Sequence, residues 1–211
     1  MKNRKINKSA SGFSILELLL AMTIMLIVMG LAASLFAGSI HKRQRESSRT
    51  DALTSAQAAL NVISREIANS GYGLTNNGIV LTDSNNQKLH FLSNVKNTNG
   101  VTTDPGEDIT FYFDPVTESI LRYDAHGNGL NAPATSIIIN RISSVNFQYF
   151  DYSGSNSTLP PPTNVATLNT ARIRVTVSVK LENVQGEAAN QSVVLRSDVA
   201  LRNSNYMLRQ Y

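Results

Sequence analysis

The stretch Gly12-Phe13-Ser14-Ile15-Leu16-Glu17, continued by an apolar run as far as Phe36, decides how the rest of the chain is organised. Residues 13–36 number 24, and Glu17 is the only ionisable side chain among them. A helix of that length rises about 36 Å, enough to cross a hydrocarbon core of about 30 Å with some tilt. The anomaly is the carboxylate, because a charge inside such a span costs several kcal/mol unless it is paired.

The segment upstream supplies a partner. Residues 1–12 contain Lys2, Arg4, Lys5 and Lys8, contain no acid, and end in Ser11-Gly12. Cleavage after Gly12 would place the new α-amino group of Phe13 four residues from Glu17, about 6 Å along a helix axis. A cation and an anion would then share one end of an otherwise apolar helix.

This arrangement of a short basic leader, Gly12, Phe13, Glu17 as fifth residue of the mature chain and about twenty apolar residues resembles the class III signal of type IV pilins and type II secretion pseudopilins. The resemblance implies a membrane-embedded aspartyl prepilin peptidase that cuts between Gly12 and Phe13 and methylates the Phe13 amine. It also implies partners: other minor and major pilins and an inner-membrane assembly platform. The fold implied is α+β, a long N-terminal helix, membrane-spanning and then amphipathic, packed on an antiparallel β-sheet head. The expected organisation is a cleaved leader (1–12), a transmembrane and filament-core helix (13–37), the amphipathic periplasmic half of that helix (38–72) and a β-rich globular head (73–211). The pair between Glu17 and the Phe13 amine is expected to set assembly register.

Charge has to be read by position. Four of the 19 Lys and Arg lie in the leader, leaving 15 to balance the 15 Asp and Glu, all of which follow Gly12. The mature chain is formally neutral, so no nucleic-acid partner is expected. The absence of cysteine excludes disulfides, thiolate zinc sites and a Cys nucleophile. Many pilins close their C-terminal region with a disulfide; here packing must do so.

Topology is nearly balanced by charge, since Lys42, Arg43, Arg45 and Arg49 follow the span much as the leader bases precede it. The leader motif decides for a cytoplasmic N-terminus, a periplasmic head in the inner membrane, and later residence in the pilus at the cell surface. The competing reading is an ordinary secretory signal cut near Ala37-Gly38-Ser39, although its core would exceed the usual length and contain Glu17. Gly30, Ser34 and Gly38 recur every four residues, a small-xxx-small stripe on which another helix can lie closely, or simply the Gly and Ala common in membrane helices. Many major pilins break this segment with a proline; this one has none, and Gly30 is its expected weak point.

Beyond the polar residues 41–50, Leu53, Ala56, Leu60, Ile63 and Ile67 step by three and four, an apolar helical face that needs a sheet to cover it. Gly71 and Gly73 signal the stop. From Ile79 the period becomes two, with strands expected at 78–82, 88–92, 108–113, 118–123, 136–140, 144–152, 171–181 and 192–202. The last two read as a hairpin across 183–190, and Asp114-Pro115-Val116-Thr117 as the turn of another. The run from Ile63 to the Ser70-Gly71-Tyr72 exit and the ending Arg196-Ser197-Asp198-Val199-Ala200-Leu201-Arg202-Asn203 resemble PilW-like minor pilins, the ending also J-type pseudopilins.

Two loops carry residue patterns that bear on chemistry. Residues 124–129, with Asp124 and Asn128, resemble the start of a calcium loop, but His126 and Thr135 stand where oxygen ligands belong, and an Asn/Gly-rich turn is sufficient. Residues 153–164, with Pro160-Pro161-Pro162, read as a solvated loop with a stiff extended piece or a contact surface. His41, His90 and His126 are scattered without catalytic neighbours, and no cofactor or enzymatic activity is expected.

Overall fold

Residues from Ile15 onward are dominated by Leu, Ile, Ala and Met with no proline, and they form one helix, α1 (Ile15–Ala68). The computed structural model describes residues 12–96, 100–129, 132–153, 159–181 and 191–209. The chain divides into two units, Met1–Arg45 and Glu46–Tyr211. In the first, α1 carries an 18-residue window of mean hydropathy 2.5, none of it buried. It is long and apolar enough to cross a membrane.

In the second unit the helix is amphipathic. Ala56, Ala59, Leu60, Ile63 and Ile67 are buried, while Asp51, Gln57, Asn61 and Arg65 face solvent. Eight strands follow: β1 (Lys88–Leu92), β2 (Asp108–Asp114), β3 (Ser119–Asp124), β4 (Ala134–Ile139), β5 (Ile142–Asp151), β6 (Pro162–Thr163), β7 (Thr170–Lys180) and β8 (Ser192–Ala200). A short C-terminal helix, α2 (Asn205–Leu208), ends the described chain. The architecture is α+β and pilin-like, with the helix packed on antiparallel sheet.

The strands form two four-stranded antiparallel sheets rather than one, ordered β1-β2-β3-β4 and β6-β5-β7-β8. The chain changes sheet at Asn140-Arg141, where Arg141 adopts a left-handed φ of 61°. Such a conformation is unusual for a residue with a side chain and carries no compositional signal. Residues 85–87 bridge the sheets from the side. The amide of Phe113 donates to Gln87 O, that of Phe147 to Asn86 O, and the buried Tyr149 hydroxyl to Asn85 O.

The expected strand at 78–82 is also corrected. Only Ile79 forms a bridge, with Phe91, before the chain tightens into a 3-10 turn at Leu81–Asp83. Residues 160–163 are not wholly loop, because Pro162–Thr163 pairs with Tyr149 and Phe150 as an edge strand, where a missing N–H is tolerated. The Asp114 turn is present, its carboxylate accepting from Val116 N and Thr117 Oγ1. β7 and β8 pair antiparallel in register Val175↔Ser197, but the loop 183–190 lies outside the described residues.

One core is built from α1 and both inner sheet faces. Leu89, Phe91, Ile109, Phe111 and Ile120 come from the first sheet, and Val145, Phe147, Tyr149, Ile173, Val175 and Val177 from the second. Burying each such side chain stabilises by about 1.5–3 kcal/mol. Across this interface Arg122 on β3 clamps Glu66 of α1 at 2.9 Å, which fixes the helix axially as well as by shape.

Closure without a disulfide is achieved by hydrogen bonds at the helix exit. Asn77, 1% exposed, points its amide at the carbonyls of Thr167, Leu168 and Thr170. Ser70 Oγ donates to Asn77 O at 2.6 Å, Asn203 donates to Ser70 O, and Tyr206 stacks on Tyr152 with centroids 4.2 Å apart. The C-terminal segment is thereby tied to the first turn after α1.

Candidate functional site

The N-terminal site is built from residues 12–17. Gly12, Phe13 and Ser14 precede the helix, and Ser14 caps it, accepting from Leu16 N through its side chain and from Leu18 N through its carbonyl. Among the described residues, a Cβ built on Gly12 would meet nothing within 4 Å. Phe13 is 83% exposed. Glu17 occupies the first turn of α1, exposed and with no ion pair among the described residues. A carboxylate at a helix N-terminus is favoured by the backbone dipole, and a terminal amine one turn away would add a direct cationic partner. Leader residues 1–11 lie outside the described residues.

Around Gly30 and Gly38 too, no atom of the described residues lies within 4 Å of where a Cβ would stand. Glycine inside a helix costs about 1 kcal/mol relative to alanine. Among the described residues no side chain packs against either glycine to offset that cost. Ser34 lies between them with its hydroxyl donating back to Leu31 O. Ala56, Leu60, Ile63 and Ile67 are buried in the core between α1 and the sheets, whereas Leu53 is half-buried and the helix residue packed on the edge of that core is Ala52.

The two calcium-loop residues have other partners. Asp124, 3% exposed, accepts from Gly106 N, His126 N and Arg122, while the Asn128 amide donates to Pro133 O. Asp124 thus closes a turn and continues the Glu66–Arg122 clamp.

A second cluster was not legible from the sequence. On the outer face of the first sheet, His90 Nδ1 lies 2.9 Å from Asp83 Oδ2 and His90 Nε2 lies 2.8 Å from Asp108 Oδ1. Lys88 Nζ holds the other Asp83 oxygen at 2.5 Å. An imidazole facing a carboxylate with each nitrogen must carry both protons to donate to both. The hydrogen bond to Asp108, opposed by partial burial, raises the His90 pKa above its ordinary 6.5, and Lys88 and His90 together hold the Asp83 carboxyl below its ordinary range. Because the folded-state pKa of His90 is raised, its stabilisation is full below about pH 6.5 and is lost as pH rises through the raised value. The melting temperature should fall by a few degrees between about pH 6 and pH 8.5, and His90→Gln should flatten that slope. A wild-type slope equal to that of the variant would contradict the assignment.

Residues 7–33 match the family model described as the prokaryotic N-terminal methylation motif. The match contains Gly12, Phe13, Glu17 and Gly30, so the N-terminal segment is similar to the class III signal of type IV pilin-like and pseudopilin proteins. No curated protein matches the chain.

Proposed function

We propose that the chain is a minor pilin, PilW-like, that takes part in priming or capping a type IV pilus after its leader is removed and Phe13 is methylated. The observation that carries this reading is the methylation motif, placed on an apolar helix that leads into a helix-on-sheet head. The subunit waits in the inner membrane, N-terminus cytoplasmic and head periplasmic, held by lipid around residues 13–37. On extraction into the filament, neighbouring apolar helices replace lipid, so the hydrophobic term roughly cancels and specific contacts choose the register. The Glu17 carboxylate and the methylated amine of Phe13, across adjacent subunits, are the contact best suited to that choice. The open stripe of Gly30, Ser34 and Gly38 would let helices approach closely.

The ending 196–203 also resembles J-type pseudopilins, which favours a secretion pseudopilin as the second reading. The test is processing followed by incorporation. With Gly12→Leu, full-length precursor should accumulate and the chain should vanish from sheared pili. A mature-sized band in this variant would remove the cleavage site, and wild-type chain absent from pili but present in secretion filaments would transfer the reading to the pseudopilin.

A further inference from the structure

The outer face of the first sheet carries a depression lined by none of the residues assigned to assembly. Its origin is in the register: His90 pairs with Thr110, which pairs with Tyr123, while Asp108 and Tyr112 flank Thr110 along β2 on the same face. Thr110 is short and 5% exposed, and its neighbours on every side are longer. The result is a cavity of about 310 Å³, at the lower end of the range for small-molecule sites.

The chemistry of the wall selects among ligands. Asp83 and Asp108 are matched by the Lys88 ammonium and the His90 imidazolium, so no unmatched charge is left to attract an ion. Hydrogen-bonding capacity does remain. Asp108 uses Oδ1 on His90, and among the described residues neither its Oδ2 nor the hydroxyls of Tyr112 and Tyr123 have a partner. Acceptors, amphoteric hydroxyls and a lysine ammonium thus stand beside two aromatic rings over a largely apolar floor. Groups that both donate and accept, carried on a neutral ring with an apolar C–H side, complement this wall. We propose that the cavity over Thr110 binds a saccharide ring, with its hydroxyls on Asp108, Lys88 and the tyrosine hydroxyls and its C–H side against Tyr112 or Tyr123.

The test uses the full chain in a zwitterionic detergent, since sugar-headed detergents would compete. Saturation-transfer NMR is recorded with glucose, galactose, mannose, N-acetylglucosamine and lactose, and with spermidine and inorganic phosphate as charged probes. At least one sugar should receive saturation through its ring C–H protons. Its affinity should fall at least tenfold in Tyr123→Ala, and measurably in Tyr123→Phe, which removes only a hydroxyl, with thermal melting confirming that both variants fold. No transfer to any of the five sugars overturns the proposal. So does equal sugar affinity in the wild type and both variants, or binding of spermidine or phosphate, but no sugar, at these residues. None of these outcomes bears on leader cleavage or filament assembly.

Discussion

Glu17→Val should leave the chain in the inner membrane and lower its recovery in sheared filaments at least tenfold. Valine removes the only ionisable side chain from residues 13–36 and makes the span more apolar, so membrane insertion is not weakened. In a filament the opposite holds. There the α-amine of Phe13 would be surrounded by apolar helices, and an ionic group deprived of its buried partner costs about 3–5 kcal/mol. At about 1.4 kcal/mol per decade that is two or more orders of magnitude in the incorporation equilibrium. A subunit displaced by one helical turn loses the same pair, which is how one carboxylate can police register. Glu17→Asp, which keeps the charge on a shorter arm, should recover part of the signal. Equal amounts of Glu17→Val and wild-type chain in sheared pili would refute the role.

Gly78→Ala should unfold the head, or lower its melting temperature by well over ten degrees. A Cβ at position 78 would stand 2.3 Å from Gly71 N and 2.3 Å from Leu92 O, both backbone atoms that cannot rotate away. Gly78 has a φ of 76°, which by itself costs a residue with a Cβ about 1–2 kcal/mol. Two hydrogen bonds run through the same point, from Gly71 N to Leu92 O and from Leu92 N to Gly78 O. They join the end of α1 to β1, and Asn77 next door holds the loop before β7. One methyl group would therefore push apart the junction where helix, first sheet and C-terminal segment meet. Gly100→Ala is the control, because that glycine also has a positive φ, 72°, but no atom of the described residues lies within 4 Å of its Cβ position. Similar melting temperatures for the two variants would show that strain at φ, not the close approach, dominates.

What the sequence disclosed and what it hid follow from how far apart the informative residues lie. The helix-on-sheet plan was legible because each of its signals is local: steps of three and four from Leu53 to Ile67, and alternation from Ile173 to Val179, can be read in a window of a dozen residues. The division into two sheets was not, since it turns on Arg141 taking a conformation that glycine usually marks. The strand expected at 78–82 failed because Gly78 and Asn77 serve the helix exit, leaving only Ile79 to pair. The cavity on the first sheet was the least accessible. Asp83, His90, Asp108 and Tyr123 span forty residues of chain and share a face only once the register of β1, β2 and β3 is known. In the sequence His90 stands without catalytic neighbours for the same reason. The N-terminal motif is the opposite case, six consecutive residues whose types and spacing speak together.

The proposed assembly role rests on trimming after Gly12, which would create a positive terminus matched to Glu17. The most direct measurement is the mass of the N-terminal peptide of the chain purified from cells carrying the pilus machinery. The expected peptide begins at Phe13 and carries one additional methyl group on its amine. A peptide that still begins at Met1, or a chain that starts near Ile40 with the apolar helix removed, would contradict it.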